Sequence, residues 1–151
     1  MPQSLSAVHV HFVFSTKERR AFLQDRALRA ELHAYLGGIA RKLNCPPDIV
    51  GGTEDHVHLL CRLGRAVSQA DLVKEAKRVS SAWIKDRSPG LDSFAWQGGY
   101  GAFSVSGADT EGAQNYIARQ EEHHRRLSFQ EEFREFLRRC HIDWDERYVW
   151  D

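Results

Sequence analysis

The order in which strand-like and helix-like patterns follow one another constrains the fold of this 151-residue chain more than any other feature. Apolar residues at every second position predict a strand at 8–14, since successive strand side chains point to opposite faces of a sheet. Apolar residues at helical spacing predict a helix at 26–43. The same patterns predict strands at 49–50, 56–62 and 94–106, and helices at 68–88, at 110–124 and after Ser128.

This order is strand, helix, strand, strand, helix, strand, with two helices added at the end. It is the split βαβ order of ferredoxin-like folds, which predicts an α+β protein. We expect an antiparallel sheet with helices on one face and an appended C-terminal helix. In that topology the first and third strands are neighbours at the centre of the sheet, so residues 56–62 are expected there. No repeat or linker divides the sequence, which predicts a single domain over residues 1–151.

The charge balance limits how the chain could bind a polyanion. Its 21 basic and 21 acidic side chains give a formal net charge of zero, so binding to nucleic acid would need a local basic patch. Two groups of basic residues are candidates for such a patch: Lys17, Arg19 and Arg20, and the run Lys74, Lys77, Arg78, Lys85 and Arg87. The alternative for both groups is an ordinary solvated surface.

The cysteine count and the first residues predict a cytoplasmic protein. The three cysteines are odd in number and widely spaced, which is typical of reduced thiols rather than of disulfides or zinc sites. The N-terminal residues do not have the pattern of a signal peptide, and no window is apolar enough to predict a membrane span.

Two short motifs place chemically useful side chains together. On a strand, His56 and His58 would point to one face and could both bind a metal. On a helix, Tyr116 and Gln120 would share a face, where a phenol could act as a nucleophile beside an amide oxygen. The alternatives are half-buried or surface histidines, and a core tyrosine beside a solvated glutamine.

Five segments, taken in order, resemble the single-tyrosine HUH transposases of the insertion-sequence 200/605 class. The segments are residues 14–17 followed by Arg19-Arg20, residues 55–60, residues 96–106, residues 116–120 followed by His123-His124, and residues 145–148. The resemblance covers nearly the whole chain.

The resemblance implies a metal-dependent DNA transposase. His56, His58 and Gln120 would bind one divalent metal, Mg²⁺ or Mn²⁺, and Tyr116 would attack the DNA to form a 5′-phosphotyrosine. The implied substrate is single-stranded DNA with hairpins near the element ends. The implied assembly is a homodimer, in which the tyrosine helix acts either in its own subunit or in trans.

Several neighbouring residues have both a functional and an ordinary interpretation. Asp55 could orient an imidazole or simply form a turn. His123 and His124 could assist the metal or the leaving oxygen, or lie on the surface against phosphates. His9 and His11 form a second His-x-His. If both pairs share a face, their four imidazoles could form a different metal centre, such as that of a hydrolase; otherwise His9 and His11 line the sheet near the DNA or the dimer contact.

Two aromatic residues and two other functions complete the predictions. Trp96 and Tyr100 could stack on unpaired bases or pack in the core or an interface. One functional alternative is a domesticated relative that processes hairpins without moving itself. The other is a non-catalytic nucleic-acid-binding module of ferredoxin-like fold, which would be favoured if Tyr116 lay far from His56 and His58.

Overall fold

The computed structural model describes residues 2–151, and within them the strands form one antiparallel sheet of order β2-β3-β1-β4. The strands are β1 (His9–Ser15), β2 (Pro47–Gly52), β3 (His56–Arg62) and β4 (Gly101–Val105). The first and third strands are therefore the central pair. This order and connectivity confirm the predicted ferredoxin-like α+β fold.

Two long helices cover one face of the sheet. They are α1 (Arg26–Lys42) and α2 (Gln69–Arg87). Each begins at a residue whose side chain accepts backbone N–H groups of the first turn, Asp25 for α1 and Ser68 for α2. Their apolar stripes pack against alternate residues of the central strands, such as Phe12 and Leu59, to form the larger core.

The C-terminal helices cover the opposite face. They are α3 (Thr110–Ala118), α4 (Gln120–His123) and α5 (Phe129–Arg139). Phe129 and Phe133 of α5 pack against Val13 and Phe103 of the sheet in a second, smaller core. Gly101 permits this close approach, because a Cβ atom there would lie 2.6 Å from the Phe133 ring.

Two predicted elements differ from the observed ones. The helix predicted at 110–124 is interrupted at Arg119, whose φ and ψ of −104° and 25° are not helical, and Gln120 turns into the protein immediately after it. The strand predicted at 94–106 is regular only in β4. Before β4, the Gln97 N–H still donates to the Ser15 carbonyl oxygen at 3.0 Å, but the Ser15 N–H donates to the Gln97 side chain at 2.6 Å instead of to a backbone carbonyl, so the ladder is only partly formed there.

Ser128 caps the start of α5. Ser128 Oγ accepts the Glu131 N–H at 3.1 Å and its hydroxyl donates to the Glu131 carboxylate at 3.2 Å. We expect Ser128→Ala to lower the free energy of unfolding by about 1 kcal/mol, measured by urea denaturation. Ser104→Ala, at an exposed position of β4, is the control. Equal effects of the two substitutions would show that the cap does not stabilise α5.

Among the helices of residues 2–151, none combines the length and apolar character needed to cross a membrane.

Candidate active site

His56 and His58 lie on the central strand β3 and point to the same face of the sheet. Their cross-strand neighbours on β1 are Ser15 and Val13. Val13 belongs to the small core beneath α5, so the two histidines face the C-terminal helices. Both imidazoles are fully buried. The His-x-His spacing therefore directs two rings into one enclosed space.

His56 has hydrogen-bonding partners at both ring nitrogens. Its Nδ1 lies 2.7 Å from Asp55 Oδ1 and 3.0 Å from Thr53 Oγ1. Because a carboxylate only accepts, the Nδ1–H donates to Asp55, which orients the ring. Burial alone would raise the pKa of Asp55, but the hydrogen bond with His56 holds that pKa below its usual value. The Nε2 atom, 2.9 Å from Gln120 Oε1, is left with its lone pair facing another acceptor.

The imidazole of His124 converges on the same amide oxygen. Its Nε2 lies 3.0 Å from Gln120 Oε1, while its Nδ1–H donates to the carbonyl oxygen of Leu127 at 2.6 Å. The amide nitrogen of Gln120 donates to Glu132 Oε2 at 3.1 Å, which sets the orientation of the amide group. Burial alone would lower the pKa of His124, but its hydrogen bond with Glu132 raises it.

Glu132 of α5 lies at the centre of this group. Its Oε1 is 3.0 Å from His58 Nε2, 3.2 Å from His124 Nε2 and 3.5 Å from His56 Nε2. Burial alone would raise the pKa of Glu132, but hydrogen bonds from His124 and His58 hold that pKa far below its usual range. The carboxylate is therefore ionised although only 1% of the residue is exposed.

Glu132 was not among the residues predicted from the sequence, although its position in the sequence is unusual. Phe129, Phe133 and Phe136 form the apolar face of α5, and Glu132 stands on that face at helical spacing from them. A carboxylate on an apolar helix face is buried only when it has partners. Those partners come from distant parts of the chain, so the signal marks Glu132 as unusual without saying what it contacts.

Tyr116 of α3 lies beside the histidines. Its hydroxyl donates to Glu132 Oε2, and its ring centroid is 6.1 Å from that of His58. The ring stacks on His123 at a centroid distance of 4.5 Å. Burial, and then the charge of Glu132, raise the pKa of Tyr116. The predicted nucleophile and the predicted ligands are thus together within one chain.

Helix α3 can pack closely against the sheet because residue 51 is a glycine. A Cβ atom at Gly51 of β2 would lie 2.7 Å from the carbonyl oxygen of Ile117. Since Gly51 pairs with His58 across the sheet, this close approach sets the distance between Tyr116 and the His58 imidazole.

The donor set fits a divalent metal. One donor atom from each of His56, His58, His124 and Glu132 lies within 4.8 Å of the others, and Gln120 Oε1 faces two of the imidazoles. Imidazole, carboxylate and amide oxygen are ligands that suit divalent transition metals and Mn²⁺. The three predicted ligands, His56, His58 and Gln120, therefore lie together. His124 and Glu132 are two further donors beside them.

His9 and His11 do not join His56 and His58 in a metal centre of four imidazoles. His11 Nε2 lies 2.7 Å from His58 Nδ1, so His11 contacts the nitrogen of His58 that faces away from Glu132. His9 lies farther along β1, where its Nδ1 is 3.6 Å from Asp48. The structure therefore supports the sheet-lining alternative, with His11 fixing the orientation of the His58 ring.

The basic residues divide into exposed and enclosed ones. Lys17 and Arg20 are exposed, while the guanidinium of Arg19 lies 5.7 Å above the Trp150 ring. In the second basic run, Lys77 is enclosed and donates to two backbone carbonyl groups, and burial lowers its pKa to about 8. Lys77 therefore belongs to the structural framework, whereas Lys17, Arg20 and the other four residues of the second run are exposed.

The two aromatic candidates pack against the larger core. Trp96 is buried, and its indole N–H donates to Ser80 Oγ at 3.0 Å. Tyr100 is half-buried, with its ring centroid 6.4 Å from that of Phe12. Trp96 therefore packs in the core, as the second of its two interpretations predicted, and its ring is not exposed for stacking on a base.

Because His11 and His58 are buried in their neutral form, we expect the folded protein to lose stability in acid. Burial lowers the pKa of His11 to about 3 and the pKa of His58 to about 4. In the unfolded chain both titrate near pH 6.5, so below that pH the unfolded state binds more protons. We expect the free energy of unfolding without metal to fall between pH 6.5 and 5, by roughly 1 kcal/mol per pH unit for each histidine.

This pH dependence is measured by urea denaturation at several pH values. His11→Asn removes one of the buried rings and should make the slope shallower. His141→Asn is the control, because His141 is exposed and has a φ of 55°, which asparagine adopts readily. Equal slopes for the wild type and His11→Asn would contradict the prediction.

Comparison with known proteins agrees with this architecture. A family model described as "Transposase IS200 like" matches residues 4–120. The chain is similar to a candidate transposase of known structure from Deinococcus radiodurans R1, with 24% identity and a TM-score of 0.64 over 80% of this chain and 95% of that one. It is also similar to a REP-associated tyrosine transposase bound to a REP hairpin, with 14% identity and a TM-score of 0.57 over 82% of this chain and 72% of that one. No curated protein matches the chain.

Proposed function

Because this chain belongs to the IS200-like transposase family, we propose that it is a metal-dependent enzyme that cleaves and rejoins single-stranded DNA through a covalent bond to Tyr116. The observation that carries this proposal is the position of the Tyr116 hydroxyl, hydrogen-bonded to Glu132 within the histidine cluster. A Tyr116 remote from His56 and His58 would have favoured the binding-module alternative, whereas the centroid of the Tyr116 ring lies 6.1 Å from that of His58.

The residues proposed to hold one divalent metal, Mg²⁺ or Mn²⁺, are His56, His58 and Gln120. His56 Nε2 and Gln120 Oε1 already face each other at 2.9 Å, and Asp55 holds the His56 ring in place. When bound, the metal supplies positive charge to a phosphate group and so lowers the barrier to attack at phosphorus.

The side chains of the site account for the bonds and protons that change during strand cleavage. Tyr116 Oη forms a bond to phosphorus, the bond from phosphorus to the 3′ oxygen breaks, and a 5′-phosphotyrosine remains. The phenol proton passes to the Glu132 oxygen that accepts its hydrogen bond, and the 3′ oxygen leaves as a hydroxyl after taking a proton from solvent. Since one phosphodiester replaces another, a different 3′ hydroxyl can reverse the step and rejoin DNA.

The proposed partners are single-stranded DNA with end hairpins and a second copy of the chain. The related tyrosine transposase is bound to a REP hairpin, which supports hairpin binding by this chain. Tyr116 lies beside the histidines of its own chain, which supports catalysis within one subunit even in a homodimer.

Covalent capture tests the proposal. The protein is incubated with labelled single-stranded DNA from its own genomic flanks, with Mn²⁺, Mg²⁺ or EDTA, and run on a denaturing gel. We expect a slowly migrating adduct with metal and none with EDTA, and mass spectrometry should find the phosphotyrosine at residue 116. Hairpin binding without an adduct under any metal condition would favour the binding module.

A further inference from the structure

Glu132 is a buried carboxylate that lacks a permanently charged partner. Within residues 2–151, its ion pairs are all with histidines, at 3.0 to 3.5 Å, and involve neither lysine nor arginine. A buried anion is stable only when hydrogen bonds and a counter-charge compensate for the lost water. A metal cation at the histidines would supply that charge.

The surrounding nitrogens are available to such a cation. The Nδ1–H of His56 donates to Asp55 and that of His124 donates to the Leu127 carbonyl, so in the neutral form of each imidazole the Nε2 atom can offer its lone pair to a cation. Each Nε2 atom lies within 3.5 Å of the same Glu132 oxygen. Two imidazoles with one carboxylate form a common set of ligands for divalent metals such as Fe²⁺ and Mn²⁺.

From this arrangement we propose that Glu132 is an anionic ligand of the divalent metal, so that metal binding is coupled to the docking of helix α5. The inference rests on the proposed function, because both place one metal at the Nε2 atom of His56. It adds a ligand from beyond residue 120, where the family match ends. The metal site thus includes a segment that the family model does not describe.

The packing of α5 explains how ligand and helix are coupled. Glu132 is flanked along the helix by Phe129 and Phe133, whose rings pack against Val13 and Phe103 of the sheet. The carboxylate can therefore reach the histidines only when this apolar face is docked. Conversely, a metal bound to Glu132 stabilises the docked helix by binding the native state.

Metal binding without DNA tests the proposal. The probe is Mn²⁺ alone, because the paramagnetic resonance signal of free hydrated Mn²⁺ is lost on binding and gives a dissociation constant. We expect Glu132→Gln to weaken Mn²⁺ binding at least about 10-fold, since even residues behind the ligands affect metal affinity by that much. Glu132→Asp, which keeps the charge, should recover part of the affinity.

A matched control lies on the same helix. Glu135 is exposed, and its ion pairs within residues 2–151 are with Arg138 and Arg139, so Glu135→Gln should bind Mn²⁺ as the wild type does. If Glu132→Gln is folded by circular dichroism and binds Mn²⁺ with wild-type affinity, the proposal is overturned while the proposed function stands. If the wild type binds no Mn²⁺ and forms no DNA adduct, both fail.

Hydrogen exchange of the wild type provides a test that needs no variant. Saturating Mn²⁺ should slow amide exchange in α5 at residues 129–139, and should slow it less in α2 at residues 69–87 on the opposite face. Unchanged exchange in α5 at saturating Mn²⁺ would overturn the coupling.

Discussion

Tyr116→Phe is expected to abolish the covalent DNA adduct and to reduce strand cleavage at least roughly 10⁴-fold, because it removes the attacking oxygen. The ring itself should remain in place, since its stacking on His123 and its edge contact with Phe136 do not involve the hydroxyl. Binding of hairpin DNA should therefore be unchanged. The measurements are adduct yield on a denaturing gel and hairpin affinity by fluorescence anisotropy.

The control for this substitution is Tyr148→Phe, because Tyr148 is 64% exposed and lies in the C-terminal tail. It should form the adduct normally. Tyr116→Phe also removes one hydrogen bond to Glu132, which should lower the free energy of unfolding by about 1 kcal/mol. An adduct that persists at wild-type yield in Tyr116→Phe would assign the attack to another group.

His56→Asn is expected to lower cleavage at least about 100-fold, together with a comparable loss of Mn²⁺ affinity. His56 is fully buried and links Asp55 on one side of its ring to Gln120 on the other. Asparagine keeps polarity at this position but does not reach as far as the imidazole Nε2. Cleavage is measured in single-turnover assays with excess protein, and affinity by Mn²⁺ titration.

His9→Asn is the matched control, because His9 belongs to the other His-x-His but lies near Asp48, away from the cluster. It should retain both activity and metal binding. Folding of both variants is checked by thermal denaturation before the assays. If His9→Asn lost Mn²⁺ binding as completely as His56→Asn, that result would support the metal centre of four imidazoles formed by both His-x-His pairs.

Local patterns were sufficient for most of the fold. Strand alternation at β1, the helical stripe of α1 and the Ser128 cap depend on residues close in sequence, so they could be predicted before any tertiary contact was known. The His-x-His spacing also predicted that both rings share one face, because that follows from strand geometry alone. The family match confirms the resemblance that was identified from the ordered motifs.

The composition of the site was decided by tertiary structure. Glu132 meets His58 across 74 positions of sequence and His11 meets His58 across 47, and no local pattern encodes such contacts. The helix break at Arg119 likewise coincides with Gln120 turning toward partners in other elements. Local patterns were enough to predict the order of the strands and helices and the placement of both histidines on one face of the sheet, because backbone periodicity extends over only a few residues. Only packing of α5 on the sheet decided which carboxylate completes the cluster, because burial depends on what the rest of the chain places opposite it.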